Sequence, residues 1–546
     1  MTKPRIIALL SALLVALTLQ APGVVRAESK TPKAEQRPNF LVIEADDMRA
    51  DDIRFMPKTR KLLGKTGLTF HNAFTPNPLC CPSRASFLTG QHSHNHGVLT
   101  HEPPFAFQSF DDSITLATQL KSAGYQTGLV GKYLNEYGAQ NIHGTKKSSR
   151  TYVPPGWTEW WGNTDRPYKG GHTYNYFHPA SVVNGALRHW PGRYTTNVTA
   201  GQTRALVTKF SARKAPWFLW WTPIAPHHGG PREKDDPPAY KRPDGATGYF
   251  VTPARPAYVK GRFNKRIRSG AGVPPGGQPE LDMRDKPRYL RLGWPNLSAF
   301  EKSALTTVTR QRAEALAVLD DEVAKTIAAV KNAPGADRTI IAFTSDNGYY
   351  LGEHRKRQGK TNLHEPSIRV PLLMSGATLP QGSRYDPVTL LDLAVTIAKS
   401  AGTNLPKADG IDLSPTFAGD QGWRYPVVLE GLMGQRPYMQ SRWTNKDWRR
   451  RLNTIGIRLG RYKLVRYSTG EAELYDLKKD PLELDSIHRS APKLRKQLTN
   501  LWEAYASCKR AECTAVLPEK WQLTPADNAA ITKAQWQAVV KRYGVR

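Results

Sequence analysis

The stretch Cys80-Cys81-Pro82-Ser83-Arg84-Ala85-Ser86-Phe87-Leu88-Thr89-Gly90 gathers a nucleophile, a guanidinium and a helix signal within eleven residues. Pro82 suits the first turn of a helix, where its missing N–H is no loss. Such a helix start presents unpaired backbone N–H groups, and Arg84 lies one turn inside, so the segment can hold an anion and stabilise charge developing beside Cys80. A helix with two buried thiols would explain Pro82, but not the Ser-Arg and Leu-Thr-Gly that follow. Asp46-Asp47 and Asp346-Asn347 form a second constellation. Adjacent carboxylates repel and raise each other's pKa unless a cation neutralises them. Donors that are all oxygen select a hard divalent ion, Ca²⁺ or Mg²⁺, over zinc. Either pair alone would also serve as turn or capping residues.

Both acidic pairs end short apolar runs, Phe40–Glu44 (FLVIE) and Thr339–Thr344 (TIIAFT), which read as buried parallel strands. Gln126–Val130 and Trp217–Thr222 (WFLWWT) read the same way. Helical spacing covers Ser113–Ala123, with a cap at Asp112 or Ser113 and a stop at Gly124. A Ser298/Glu301 capping box opens a helix to about Val330, and another helix covers about Val388–Ala401. This alternation predicts an α/β sheet with helices on both faces and ligands at the carboxyl ends of the strands.

Residues 228–295 are crowded with Pro, Gly and charge, including Lys260, Arg262, Lys265, Arg266 and Arg268, and read as an insertion near the active face. After about Gly419 the pattern changes to short strands at Ile455–Leu459, Tyr462–Tyr467 and Ala472–Leu477, then a helix around Pro492–Ala506. The expected domains are residues 38–420, holding the insertion, and 421–546, a smaller α+β unit.

The Cys80–Gly90 segment resembles the sulfatase signature C-x-P-S-R-x-x-x-L-T-G at all seven fixed positions, a coincidence of order one in a million by residue frequencies. The resemblance implies an alkaline-phosphatase-like fold, a large mixed sheet between helices with an antiparallel sheet in the C-terminal part. It implies that Cys80 is oxidised to Cα-formylglycine by a formylglycine-generating enzyme. The hydrated aldehyde then has one hydroxyl to attack sulfur and another to expel sulfate. It assigns Asp46, Asp47, Asp346 and Asn347, with residue 80, to a Ca²⁺ or Mg²⁺ site. Lys132, in Gly131-Lys-Tyr-Leu-Asn-Glu-Tyr-Gly138, resembles the lysine that contacts sulfate, and Lys360 the second active-site lysine. His227 resembles the histidine facing the leaving oxygen, which makes His227 and Lys360 candidate proton donors. Many arylsulfatases carry a histidine where this chain has Leu134, and His364 is a substitute candidate. Arg458–Leu464 and ELYDLKKDP (Glu473–Pro481) resemble the family's C-terminal hairpin. Cys81 sits at a variable position and reads as packing. The motifs around Cys80 and Lys132, with the late cysteines, look most like the N-acetylglucosamine-6-sulfatase branch.

Composition is compatible with this reading. The chain has 546 residues, 39% hydrophobic, enough for a large core, and 78 Lys+Arg against 46 Asp+Glu give a net charge of +32. That surplus favours polyanionic partners. Lys3 and Arg5 precede a 14-residue apolar stretch, Ile6–Leu19, too short to span a bilayer, with Val25 and Ala27 placed for cleavage after residue 27. A signal peptide over 1–27, secretion and no membrane span are therefore expected. In an exported chain Cys508 and Cys513 are spaced for a small disulfide loop, whereas the vicinal Cys80 and Cys81 are not. The expected activity is hydrolysis of sulfate esters on small molecules or glycans. Alternatives are an arylsulfatase, a phosphonate monoester or phosphodiester hydrolase of the same superfamily, and a non-catalytic polyanion-binding protein. No specific nucleic-acid partner is expected.

Overall fold

Six elements position the chemistry: β1 (Asn39–Ala45), α1 (Cys80–Thr89), β2 (Gln126–Lys132), β3 (Trp217–Thr222), α2 (Ala299–Lys331) and β4 (Thr339–Ser345). The computed structural model describes residues 37–241, 247–376, 379–432 and 454–544. The expected signal peptide lies outside the described residues. Ten strands form one mixed sheet in the order Gly382–Arg384, Leu68–Phe70, Leu372–Gly376, β4, β1, β3, β2, Glu159–Asn163, Ala180–Val183, Ala186–His189. From β4 to Glu159–Asn163 every neighbouring pair is parallel, and antiparallel pairs flank this centre. β1 and β4 start and end in register, Asn39 opposite Thr339 and Ala45 opposite Ser345, which brings their acidic tips together.

Successive strand residues face opposite ways, so continuous apolar runs bury both faces. Phe40, Val42, Leu129, Phe218 and Trp220 pack with Phe87, Leu116 and Leu393 from helices on one side. Leu41, Ile43, Leu219 and Trp221 pack on the other with Leu206 and Phe210, and with Leu316 and Val323 of α2. Truncating a fully buried ring such as Phe218 to alanine costs about 3–5 kcal/mol.

α2 begins with the expected capping box: Glu301 N donates to Ser298 Oγ (3.2 Å) and Ser298 N to Glu301 Oε2 (2.8 Å). The helix expected over Ser113–Ala123 is shorter, Leu116–Ser122. Its cap is Thr115, which exchanges bonds with Thr118, while Asp112 accepts a hydrogen bond from Tyr152 OH and is not a cap. Thr195–Ser211 is a further helix, packed against α2, that the sequence reading did not assign.

The second sheet is antiparallel, in the order Val427–Gly431, Thr454–Arg458, Tyr462–Tyr467, Ala472–Asp476, with Leu498 and Tyr505 of the helix Pro492–Tyr505 in its core. Cys508 and Cys513 are joined as a disulfide. That loop reaches back toward α1. His94, just beyond α1, places Nδ1 2.6 Å from Glu430 Oε1 and Nε2 2.7 Å from the Cys508 carbonyl, and Arg510 N donates to Asp409 (2.6 Å). α1 itself stops at Gly90, whose φ is 69°; a Cβ there would come 2.9 Å from Ala408 Cβ.

Candidate active site

The N-terminus of α1 points at the tips of β1 and β4. Cys80 Sγ lies 3.3 Å from Asp46 Oδ1 and 3.8 Å from Asp47 Oδ1, and Lys360 Nζ is 2.6 Å from the same sulfur. Lys132, the last residue of β2, puts Nζ 2.6 Å from Asp46 Oδ2, and Lys360 Nζ also pairs with Asp47 Oδ1. His227, beyond β3, places Nε2 3.6 Å from Asp47 Oδ2, while its Nδ1 lies 2.7 Å from the His228 carbonyl and donates to it. Arg84 bonds Asp346 Oδ2 through Nε (2.8 Å) and the Lys132 carbonyl through Nη1 (3.1 Å). Asp346 Oδ1 accepts from Asp47 N (3.0 Å), and Asn347 Nδ2 donates to Asp47 Oδ1 (2.7 Å). Of the nine residues assigned to the catalytic and metal sites, eight thus gather around the ninth, Cys80. The backbone is bent for it: Asp47 has a φ of 62°, and around Lys360 Gly359 and Thr361 have φ of 118° and 85°, a region that a β-branched threonine rarely enters.

These groups are buried, which opposes their charged forms, and the ion pairs each one makes decide the net direction. Burial alone would raise the Asp46 carboxyl, but Lys132, His227 and Arg84 hold it well below the usual range; Asp47, facing Lys360 and His227, is held at about 2. Asp346 is pushed up to about 6 by burial and by Asp46, in spite of Arg84. Burial and Asp46 also push the Cys80 thiol well above its ordinary value, so an unaltered thiol there is protonated and weakly nucleophilic.

His364, the substitute candidate for the histidine absent at position 134, is not at the site. Its Nδ1 meets Tyr350 OH (2.8 Å), its Nε2 meets Glu473 Oε1 (3.2 Å), and it packs against the C-terminal sheet. Leu134 is a core residue. Three residues that the sequence reading passed over do contribute. Arg312 of α2 donates to the carbonyls of Asp47 (2.5 Å) and Pro226 (3.2 Å), tying the β1 and β3 tips together. Glu44, beneath the site, accepts from Trp220 Nε1 (2.8 Å) and is raised to about 7 by burial. The Tyr174 ring lies 4.8 Å from that of His227 and 5.3 Å from Lys132 Nζ, forming one wall. Arg312 had a signal: it falls on the apolar face of a long helix, where an arginine needs a partner.

The donor set fits a hard cation. Asp47 Oδ2 and Asn347 Oδ1 are buried with no hydrogen-bond partner, and Asp46, Asp47, residue 80 and His227 bring ligand atoms within 4.8 Å of one another. Arg84 Nη2 is buried and without a partner as well, a donor free for an anion. Paired acids, two lysines, an arginine and a helix start around one side chain make an arrangement suited to hydrolysing an oxyanion ester.

Known proteins agree. The family described as Sulfatase matches residues 38–403, and that of N-sulphoglucosamine sulphohydrolase, C-terminal, matches residues 352–509. An arylsulfatase of Volvox carteri is 30% identical over 93% of this chain and 79% of its own length. An N-acetylglucosamine-6-sulfatase of Homo sapiens is 30% identical over 72% of this chain and 67% of its own. A solved structure, described as a complex with its substrate D-glucosamine-2-N,6-O-disulfate, superposes with a TM-score of 0.63 at 20% identity, covering 86% of this chain and 97% of that one, and so shares the fold. The chain belongs to the sulfatase family and is a sulfuric ester hydrolase.

Proposed function

We propose that the protein is an exported hydrolase of glycan sulfates of the N-acetylglucosamine 6-sulfate type, acting through Cys80 as Cα-formylglycine beside a bound Ca²⁺ or Mg²⁺. The carrying observation is the position of residue 80, at a helix start with Lys360 Nζ 2.6 Å and Asp46 Oδ1 3.3 Å from its side chain. The hydrated aldehyde supplies a nucleophilic hydroxyl and a second hydroxyl through which sulfate can be eliminated. Asp46, Asp47, Asp346 and Asn347, with residue 80, would hold the cation, which would supply Lewis acidity toward a sulfate oxygen.

The chain's own groups do the rest. Arg84 Nη2, the α1 N-terminus and Lys132 bind the sulfate oxygens and favour the charge that grows on them. Lys360, with Nζ 2.6 Å from the side chain of residue 80, is the nearer donor of a proton to the departing alcohol; His227, whose Nδ1 is engaged by the His228 carbonyl and whose Nε2 lies 3.6 Å from Asp47 Oδ2, would serve only as the doubly protonated ring. The glycan reading draws support from the named activity of the human relative and from the disulfated glucosamine bound by the solved neighbour.

Peptide mass spectrometry across residue 80 tests this directly. Replacement of CH₂SH by CHO lowers the mass by about 18 Da relative to cysteine. An active preparation with an intact thiol would overturn the assignment, as would near-normal turnover in Cys80→Ser.

A further inference from the structure

The insertion after His227 is anchored at the site. Gly229 N donates to the Thr252 carbonyl and Ala254 N to that of Gly229, each at 3.1 Å, and Gly272 N donates to the Leu351 carbonyl (3.2 Å), just beyond Asp346-Asn347. Between these anchors the chain runs along α2. Phe263 stacks edge-on against Phe55 with ring centroids 5.4 Å apart, and the Ile267 carbonyl accepts two bonds from Arg310, at 2.9 and 2.8 Å. Two residues on, Arg312 reaches the Asp47 carbonyl. The insertion and the β1 tip therefore flank one helix at the same level, about 10–12 Å thick with its side chains.

Phe263 and Ile267 are buried, while Arg262, Lys265, Arg266 and Arg268 around them are exposed. The acids of the insertion are already engaged: Glu233 and Asp235 pair with Arg255 and Lys260. Among the described residues no carboxylate forms an ion pair with any of the four exposed cations. Tyr258, 70% exposed, lies between the carboxylates Asp321 and Glu322 of α2 on one side and Arg262 on the other, and Arg262 also lies near Lys58. A solvated charged face usually mixes signs. Here a segment pinned by two apolar side chains holds four cations of one sign outward beside an exposed aromatic ring.

We infer that this face of the insertion, Arg262 to Arg268 with Tyr258, is a binding site for the polymer chain of a sulfated polysaccharide, one helix away from the residue that cleaves the ester. Sulfates meet the cations, and a sugar ring packs on Tyr258. Released counterions add a salt-dependent share of the affinity. The inference rests on the glycan reading of the site and adds that the substrate is polymeric.

The test is the variant Arg262→Gln/Lys265→Gln/Arg266→Gln/Arg268→Gln, whose positions are exposed and outside the catalytic machinery. Retention on immobilised heparin across a sodium chloride series should show a log–log slope smaller by about 3 and an affinity at least tenfold lower at physiological salt. Turnover of p-nitrophenyl sulfate and of a sulfated monosaccharide should stay unchanged, while kcat/KM on a sulfated polysaccharide falls at least tenfold. An unchanged heparin slope, or an unchanged kcat/KM on the polymer, would overturn the inference. So would displacement of heparin by duplex DNA at equal anion concentration, which would mean that charge alone is read. Loss of all sulfate-ester turnover in the parent would instead sink the catalytic reading, and the heparin measurement would still report on this face.

Discussion

His94→Gln should lower stability in a way that disappears at high pH. Both nitrogens of His94 face groups that only accept, the Glu430 carboxylate and the Cys508 carbonyl, so the ring donates twice and is an imidazolium. Burial opposes that charge, but Glu430 and the Cys508 carbonyl override it and raise the pKa from 6.5 to about 9. Glu430, held at about 2, reports the same contact from the other side and is counted once. A rise from 6.5 to about 9 corresponds to roughly 3 kcal/mol. The folded-state value is the higher one, so this stability is complete below about 6.5 and is lost as pH climbs through about 9. His92 and His96 face the same carboxylate, but burial pushes both down and they stay neutral across that window. Asp409 is anchored by the backbone of His92 and Arg510. Urea unfolding of parent and variant at pH 6 and pH 10 measures the effect. The difference between them should be roughly 3 kcal/mol at pH 6 and close to none at pH 10. A gap of the same size at both pH values would show that the contribution is packing and that the ring is not charged.

Lys132→Ala and His227→Ala should each cut turnover of a sulfate ester at least tenfold with the far-ultraviolet circular dichroism unchanged, through lost charge stabilisation or proton transfer; parent-like rates would remove those residues from the mechanism. Exhaustive chelation should abolish turnover and lower the melting temperature, because Asp46 and Asp47 then lose a ligand that binds only the folded chain; both should return with Ca²⁺ or Mg²⁺. Full activity after chelation would exclude the ion from catalysis.

The parts of the fold legible beforehand are those where local pattern and tertiary demand coincide. FLVIE and TIIAFT are continuous apolar runs because both faces of β1 and β4 are covered, and their acidic ends meet, Asp346 Oδ1 accepting from Asp47 N. Ser298 and Glu301 cap α2 through bonds three residues apart, which sequence spacing shows directly. Thr195–Ser211 went unassigned because its buried face mixes apolar residues with four threonines, whose hydroxyls can bond back to the preceding turn, as Thr199 does to the Thr195 carbonyl. Val427–Gly431 was missed because a five-residue strand between polar flanks carries no period of its own, and its partner Thr454–Arg458 lies more than twenty residues away. His364 was misplaced for a related reason: near Lys360 in sequence, it is turned away by Tyr350 and by Glu473, 109 residues downstream. The site itself was readable because Asp46, Asp47, Lys132, Asp346 and Asn347 end or closely follow strands and Cys80 and Arg84 open a helix, while Lys360 and His227, in loops, rested on the family resemblance. Arg312, which acts from the middle of a helix, was not.

The side chain at position 80 is 2% exposed, and every residue of the helix that carries it is buried. No catalyst the size of a protein can grip such a residue in the finished molecule. If residue 80 is converted as proposed, the converting enzyme has to meet the segment before this helix packs, so the moment of closure would decide whether a given molecule becomes competent or stays inert. Preparations from different hosts would then differ in the fraction of working molecules while looking alike by every measure of folding.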